Sequence, residues 1–178
     1  MPPLPTFLSA TGCPPPGRYS ATLEEVEAAL VQDPLLSGSD TRAAIWSEFE
    51  AHRALIDCYV GSINRMWLAG SFVSNKMNPA DLDVAYLLDA AAYHAVVDPN
   101  EVRDLRNLGD REWCIKHGMR VDAYLLQLPE TEDFRDLGIS GAMKKGDREA
   151  FQQLGLYDEI WQRRRSKGER RGYVEVTL

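Results

Sequence analysis

The sequence predicts an α/β (α+β) fold, a small mixed β-sheet with flanking helices, and three observations carry that reading. Short apolar runs at 63–69, 81–88 and 119–128, with an alternating "GYVEVTL" at 172–178, have the length and punctuation of strands. Around them lie stretches whose apolar residues recur every three to four positions, as amphipathic helices require. The chain has 178 residues, enough for one core and short for two.

Taken in order, residues 1–19 hold six prolines and no periodicity, so they read as an extended lead to a single domain over 20–178. In "SATLEEVEAAL", Thr22 precedes Glu25 by the spacing of a capping box, and Leu23, Val26, Ala29 and Leu30 share a helical face. After the breaker "DPLLSGSD", residues 41–60 place Ile45, Phe49, His52, Leu55, Ile56 and Tyr59 at helical spacing. Ser39 or Asp40 is the expected cap and Gly61 the expected stop. The run at 63–69 follows as a first strand and 81–88 as a second.

Residues 90–108 predict helix broken near Pro99 and restarted with Asn100 as cap. A third strand spans 119–128. Residues 130–165 are polar and helical in character, with Phe151, Leu154, Ile160 and Trp161 available for packing. The closing strand alternates, with Val174, Val176 and Leu178 on one face, and is expected to be half-buried. The helices are expected mainly on one face of the sheet, leaving the strand ends of the opposite face open.

Composition narrows the function classes. Hydrophobic and charged fractions of 44% and 26% are ordinary for globular domains. No apolar run reaches the roughly 18 residues of a membrane span, and the N-terminus lacks the pattern of a signal peptide, so a cytoplasmic protein with no membrane partner is expected. Cys13, Cys58 and Cys114 are widely spaced and form no C-x-x-C pair, which argues against a disulfide framework or a structural zinc site. His117, three residues after Cys114, reads as packing, and so do Trp46, Trp67, Trp113 and Trp161. A net charge of −7 opposes loose binding along nucleic acid, although 163–171 is strongly basic. That segment reads first as solvated surface, with contact to nucleotide or RNA phosphates as the alternative for Arg163, Arg164 and Arg165.

The stretch "LAGSFVSNKMNPADLDVAYLL" at 68–88 carries the chemistry. Side chains at i and i+2 of a strand share a face, so Asp81 and Asp83 project together at the head of an apolar strand. Like charges that close repel unless a cation lies between them. Carboxylate oxygens suit Mg2+, or Mn2+, held by one or two carboxylates together with substrate phosphates. Asp122 is a third carboxylate inside the next strand, where an ionised group is otherwise costly. Gly70 lets the backbone approach a ligand closely, and N–H groups with the Ser71 hydroxyl offer donors to phosphate. Lys76, in the loop between, is a further nucleotide-binding candidate, with a solvated loop side chain as its alternative. Metal on one side and a phosphate cradle on the other make a site for a nucleoside triphosphate.

"GSFVSNKMNPADLD", followed by the lone aspartate of "RVDAYLL", resembles the signature of the DNA polymerase β-type nucleotidyltransferase superfamily, in particular its minimal members. The resemblance covers about residues 40–128. It implies a nucleotidyltransferase-like sheet, with Gly70 and Ser71 holding the triphosphate and Asp81 and Asp83 binding the metals. Asp122 would complete the metal site and help activate the acceptor hydroxyl. The implied activity is Mg2+-dependent transfer of NMP from an NTP such as ATP to a hydroxyl of a protein, RNA or small molecule. A catalytically silent nucleotide-binding or partner-binding regulatory module, such as an antitoxin-like protein, is the other class the same site allows.

Overall fold

The computed structural model describes residues 4–61, 63–129, 145–163 and 168–178. Five strands form one mixed sheet in the order β1-β5-β2-β3-β4: β1 Gly17–Ala21, β2 Arg65–Ala69, β3 Leu82–Leu88, β4 Val121–Gln127 and β5 Gly172–Thr177. β2 runs antiparallel to both neighbours, β3 and β5, while β3–β4 and β1–β5 are parallel pairs. The parallel β3–β4 pair requires a crossover, which α3 (Ala90–Ala95), α4 (Pro99–Leu108) and α5 (Arg111–Lys116) supply. The α/β class with a mixed sheet and flanking helices is as the sequence predicts.

Local chemistry sets the helix boundaries. α1, Leu23–Leu30, starts with the expected capping box: Thr22 Oγ1 accepts from Glu25 N at 3.2 Å, and Glu25 Oε2 accepts from Thr22 N at 2.8 Å. α2, Arg42–Val60, ends at Gly61 in a positive-φ conformation. Ser39 Oγ accepts from Arg42 N at 3.1 Å and thereby satisfies a first-turn donor. α4 departs from expectation, because its cap is Asp98, whose Oδ1 accepts from Asn100 N and Glu101 N. Pro99 then sits at the first helical position, where its missing N–H costs nothing. α5 is an element that the apolar pattern does not announce; Asp110 caps it by accepting from Glu112 N and Trp113 N.

Two cores result. On one face Met66, Leu68, Val84, Tyr86, Leu88, Val121, Val174 and Val176 pack against α1, α2, α4 and α5 through Val26, Leu30, Ile45, Phe49, Ile56, Leu105 and Leu108. On the other, Trp67, Ala69, Ala85, Leu87, Leu126 and Tyr173 pack with Trp161 and the partly buried Leu154 and Tyr157 of α6, Lys145–Trp161. The second face is therefore not open, since the C-terminal helix lies over it. Its residues Leu154, Tyr157 and Trp161, spaced three and four apart, form the stripe that the aromatic strand residues need covered.

The chain ends also differ from expectation. The extended lead joins the sheet at Gly17, where β1 pairs with β5. β5 lies between β1 and β2, so Tyr173, Val174 and Val176 are all buried and the strand is interior rather than half-buried. The expected third strand begins two residues later, at Val121. Of the helical expectation over 130–165, residues 130–144, Arg164 and Arg165 lie outside the described residues. Cys13, Cys58 and Cys114 are free, and His117 Nδ1 lies 2.8 Å from the Trp113 carbonyl with its ring stacked on that indole. Among the described residues no helix is long and apolar enough to cross a membrane.

Candidate active site

The parallel register of β3 and β4 sets Asp83 directly beside Asp122, one strand spacing apart. Strand alternation sends both to the α6 face, the face of Ala85, Leu87, Tyr124 and Leu126. Both aspartates are half-buried at the N-terminal ends of their strands. The Tyr124 hydroxyl, two residues along the same face, donates to Asp122 Oδ2 at 3.4 Å.

Asp83 is also paired across the sheet with Ala69, the last residue of β2, so the turn that follows β2 passes over it. Gly70 in that turn has φ +76°, and a Cβ added there would sit 1.6 Å from Asp83 Oδ2. Only glycine lets this backbone pass so close to the carboxylate. Ser71 follows half-buried, its carbonyl accepting from Ser74 Oγ at 2.6 Å. Lys76 is exposed; its amide donates to Ser74 Oγ at 3.2 Å, and its carbonyl accepts from Arg42. The neighbouring Asn78 is a joint between loop and helix, its Oδ1 accepting from Asp40 N at 2.9 Å.

Arg42 fixes the shape of the whole turn. Its guanidinium, 1% exposed, donates through Nη1 to the carbonyls of Leu30 and Phe72 and through Nη2 to those of Ser74 and Lys76, at 2.7–2.9 Å. Four carbonyls of two distant segments converge on one planar fork, a pattern suited to arginine and beyond the reach of lysine. Burial lowers its pKa to about 10, so it remains charged at neutral pH. On the β4 side, Glu48 of α2 accepts from the backbone N and the guanidinium of Arg120, just ahead of Val121. Both strands bearing the aspartates' neighbours are thereby tied to α2.

Asp81 lies one residue ahead of β3. Its Oδ2 accepts from Arg111 Nη2 at 2.7 Å and Nε at 3.2 Å. Arg111 is held above its ordinary pKa, first by that hydrogen bond and further by the charges of Asp81, Asp122 and Asp83. All three sequence-predicted carboxylates thus act on one guanidinium. Among the described residues, no group of three or more His, Cys, Asp or Glu side chains is gathered as a metal site.

The residues present nevertheless fit a divalent cation. Two carboxylates stand in register, and the Gly70 backbone runs close against one of them, so hard oxygen donors of the kind such an ion takes lie side by side at the turn. A cavity of about 170 Å³ opens at Asp83 and Ala69, walled by Tyr124, Tyr157 and Trp161 and flanked by Arg163 and Arg171. Arg163 and Arg171, of the basic stretch noted in the sequence, therefore share this cavity with Asp83. A larger cavity, about 470 Å³, lies between the N-terminal lead and α1. It is lined by Leu4, Phe7, Leu30, Leu36 and Val174, and its Asp33 is engaged in capping a 3-10 turn by accepting from Leu35 N. Of these two, the smaller cavity is the one lined by a sequence-predicted site residue, Asp83.

Arg42, Arg111 and Tyr124, which contact the candidate site residues or the turn beside them, are missed by sequence reasoning. Only Arg111 carries a local signal, the Asp110-Arg111-Glu112 start of a short capped helix. Comparison with curated proteins and with solved structures gives no match. The profile of a family of unknown function, DUF6932, matches residues 5–177, and the chain belongs to that family.

Proposed function

We propose that this protein is a divalent-metal-dependent nucleotidyltransferase that moves NMP from an NTP to a hydroxyl acceptor. The observation that supports the reading most is the in-register pair Asp83 and Asp122, with the positive-φ Gly70 turn held close against the Asp83 carboxylate. A half-buried like-charged pair is costly to keep unless something cationic uses it, and functional sites are where such costs are retained. In this reading Asp83 and Asp122 hold Mg2+ or Mn2+, with Asp81 as the third ligand once it is free of Arg111. The ion supplies charge neutralisation at the phosphates and lowers the pKa of an attacking hydroxyl.

The chain's own residues do the rest. Backbone N–H groups of the Gly70-Ser71 turn and the Ser71 hydroxyl bind phosphate oxygens, and Arg42 keeps that turn in shape from behind. The acceptor oxygen forms a bond to the α-phosphorus as the bond to pyrophosphate breaks, and the hydroxyl proton passes to Asp122. Arg163 and Arg171 lie where they favour an anionic acceptor or nucleotide in the aromatic-walled cavity. Lys76, exposed on its loop, is available to the outer phosphates.

The test is a transfer assay with each α-labelled NTP, Mg2+ and a cell lysate separated into protein, RNA and small-molecule fractions, beside Asp83→Asn. Label in one fraction, lost in the variant, is the expected outcome and names the acceptor class. NTP binding without label in any fraction would instead assign a silent nucleotide-binding module.

A further inference from the structure

We infer that Arg111 makes the carboxylate cluster selective for a divalent cation that arrives as a polyphosphate chelate, over the same cation alone. The inference rests on the metal-dependent reading above and goes beyond it, because it assigns the cluster a resident counter-cation and a ligand preference.

Three observations carry it. The Asp81–Arg111 pair is made through two nitrogens of one guanidinium, at 2.7 and 3.2 Å, across thirty residues of chain. Arg111 has a fixed origin: it opens α5, which Asp110 caps and whose Cys114 is buried in the main core. The same guanidinium feels the charges of Asp83 and Asp122 as well as Asp81. It is therefore positioned as the cluster's own cation, yet its side chain is 46% exposed and exchanges its partner without opening the core.

A bare divalent ion that takes Asp81 must displace this guanidinium and leave it beside a second cation. That arrangement forfeits the ion pair and adds repulsion. An ion carrying phosphate oxygens presents the released fork with a bidentate acceptor, the group that arginine geometry matches best. The guanidinium then changes partner instead of losing one. Lysine, a point charge without the fork, would do this less well.

The experiment measures Mn2+ binding by the paramagnetic signal of the free ion, with the intact chain as wild type, Arg111→Gln and Arg111→Lys. Thermal midpoints are taken in parallel with MnCl2 alone, tripolyphosphate alone and both together. Arg111→Gln is expected to bind bare Mn2+ about fivefold more tightly than wild type, the scale of one partly exposed ion pair. In wild type the two ligands together should raise the midpoint by more than the sum of their separate shifts. That excess should vanish in Arg111→Gln and shrink in Arg111→Lys. Equal or weaker Mn2+ binding by Arg111→Gln, or an undiminished excess, would overturn the role of Arg111 alone. No Mn2+ binding by any variant, with or without tripolyphosphate, would overturn the metal reading together with it.

Discussion

On the face covered by α1, α2, α4 and α5, His52 and Arg42 are 0% and 1% exposed, and their hydrogen bonds tie neighbouring segments together. His52 Nε2 donates to the Leu108 carbonyl at 2.9 Å, so Nδ1 accepts from the Tyr86 hydroxyl, also at 2.9 Å. On the face beneath α6, Asp83 and Asp122 stand side by side, half-buried, with Asp83 at the wall of a cavity. The first face spends its polar groups on holding segments together, and the second concentrates like charge. Substitutions on the first should therefore be read in stability, and substitutions on the second in ligand binding.

The largest expected effect is on the first face. Arg42→Met keeps a long apolar stem but abandons the carbonyls of Leu30, Phe72, Ser74 and Lys76 in a buried setting. Each orphaned carbonyl carries a desolvation cost, and with partial relaxation the loss should be about 3–5 kcal/mol. Arg42→Lys, with three donors and no fork, should fall between the two. Chemical denaturation checks both. A loss below about 1 kcal/mol for Arg42→Met would mean that the turn holds its shape without the guanidinium, and the contrast between the faces would weaken.

The next effect concerns pH. Burial lowers the pKa of His52, and its hydrogen bond to Leu108 offsets this only in part. The unfolded chain therefore binds a proton, at its ordinary pKa of 6.5, before the folded one does. Stability from this site is complete above about pH 6.5 and falls as the pH drops through the window down to the folded pKa, by up to about 1.4 kcal/mol per unit. Melting curves from pH 8 to 5 for wild type and His52→Asn should show the wild type losing ground faster on acidification. Parallel curves would show that His52 is not neutral in the fold.

What could be read beforehand follows the same division between local and distant causes. The Thr22–Glu25 box and the Gly61 stop are written within a few residues of where they act, and both appear as expected. The aspartates are legible because a carboxylate interrupting an apolar strand breaks a pattern, and Gly70 because it precedes them at a turn. Their side-by-side register was available only as a conditional, since it needs β3 and β4 to be neighbours. Arg42 carries no local mark: its role exists only once Leu30 and Phe72–Lys76 converge on it. Arg111 has a local mark only for its helix start, not for its role, since its partner Asp81 is thirty residues away. β1 was hidden for another reason, because "GRYSA" follows prolines and becomes a strand through β5. Along 145–161 Leu154 and Trp161 were legible as packing residues, but that Tyr157 completes their stripe, while Ile160 stays exposed, follows only from the aromatic face of the sheet.

The smallest stability effect is expected where the consequence for the site is greatest. Gly70→Ala forces a β-carbon to within 1.6 Å of Asp83 Oδ2, but the obstructing atom is the end of a side chain, which a rotation moves aside. The lasting cost is the positive φ of +76°, about 1 kcal/mol for alanine. The carboxylate of Asp83, however, no longer lies under the turn, because a methyl group takes the place its Oδ2 held beside Gly70. Denaturation should thus show a modest loss, well below that of Arg42→Met, while the thermal shift with Mn2+ and NTP disappears. Pairing Gly70→Ala with Asp83→Ala separates the two terms: the double variant removes the clash and keeps the backbone strain, so its stability should differ little from that of Gly70→Ala. If Gly70→Ala instead keeps the full metal and nucleotide shift, the close approach of turn and carboxylate is a packing detail. The second face would then lose its claim to be the working one.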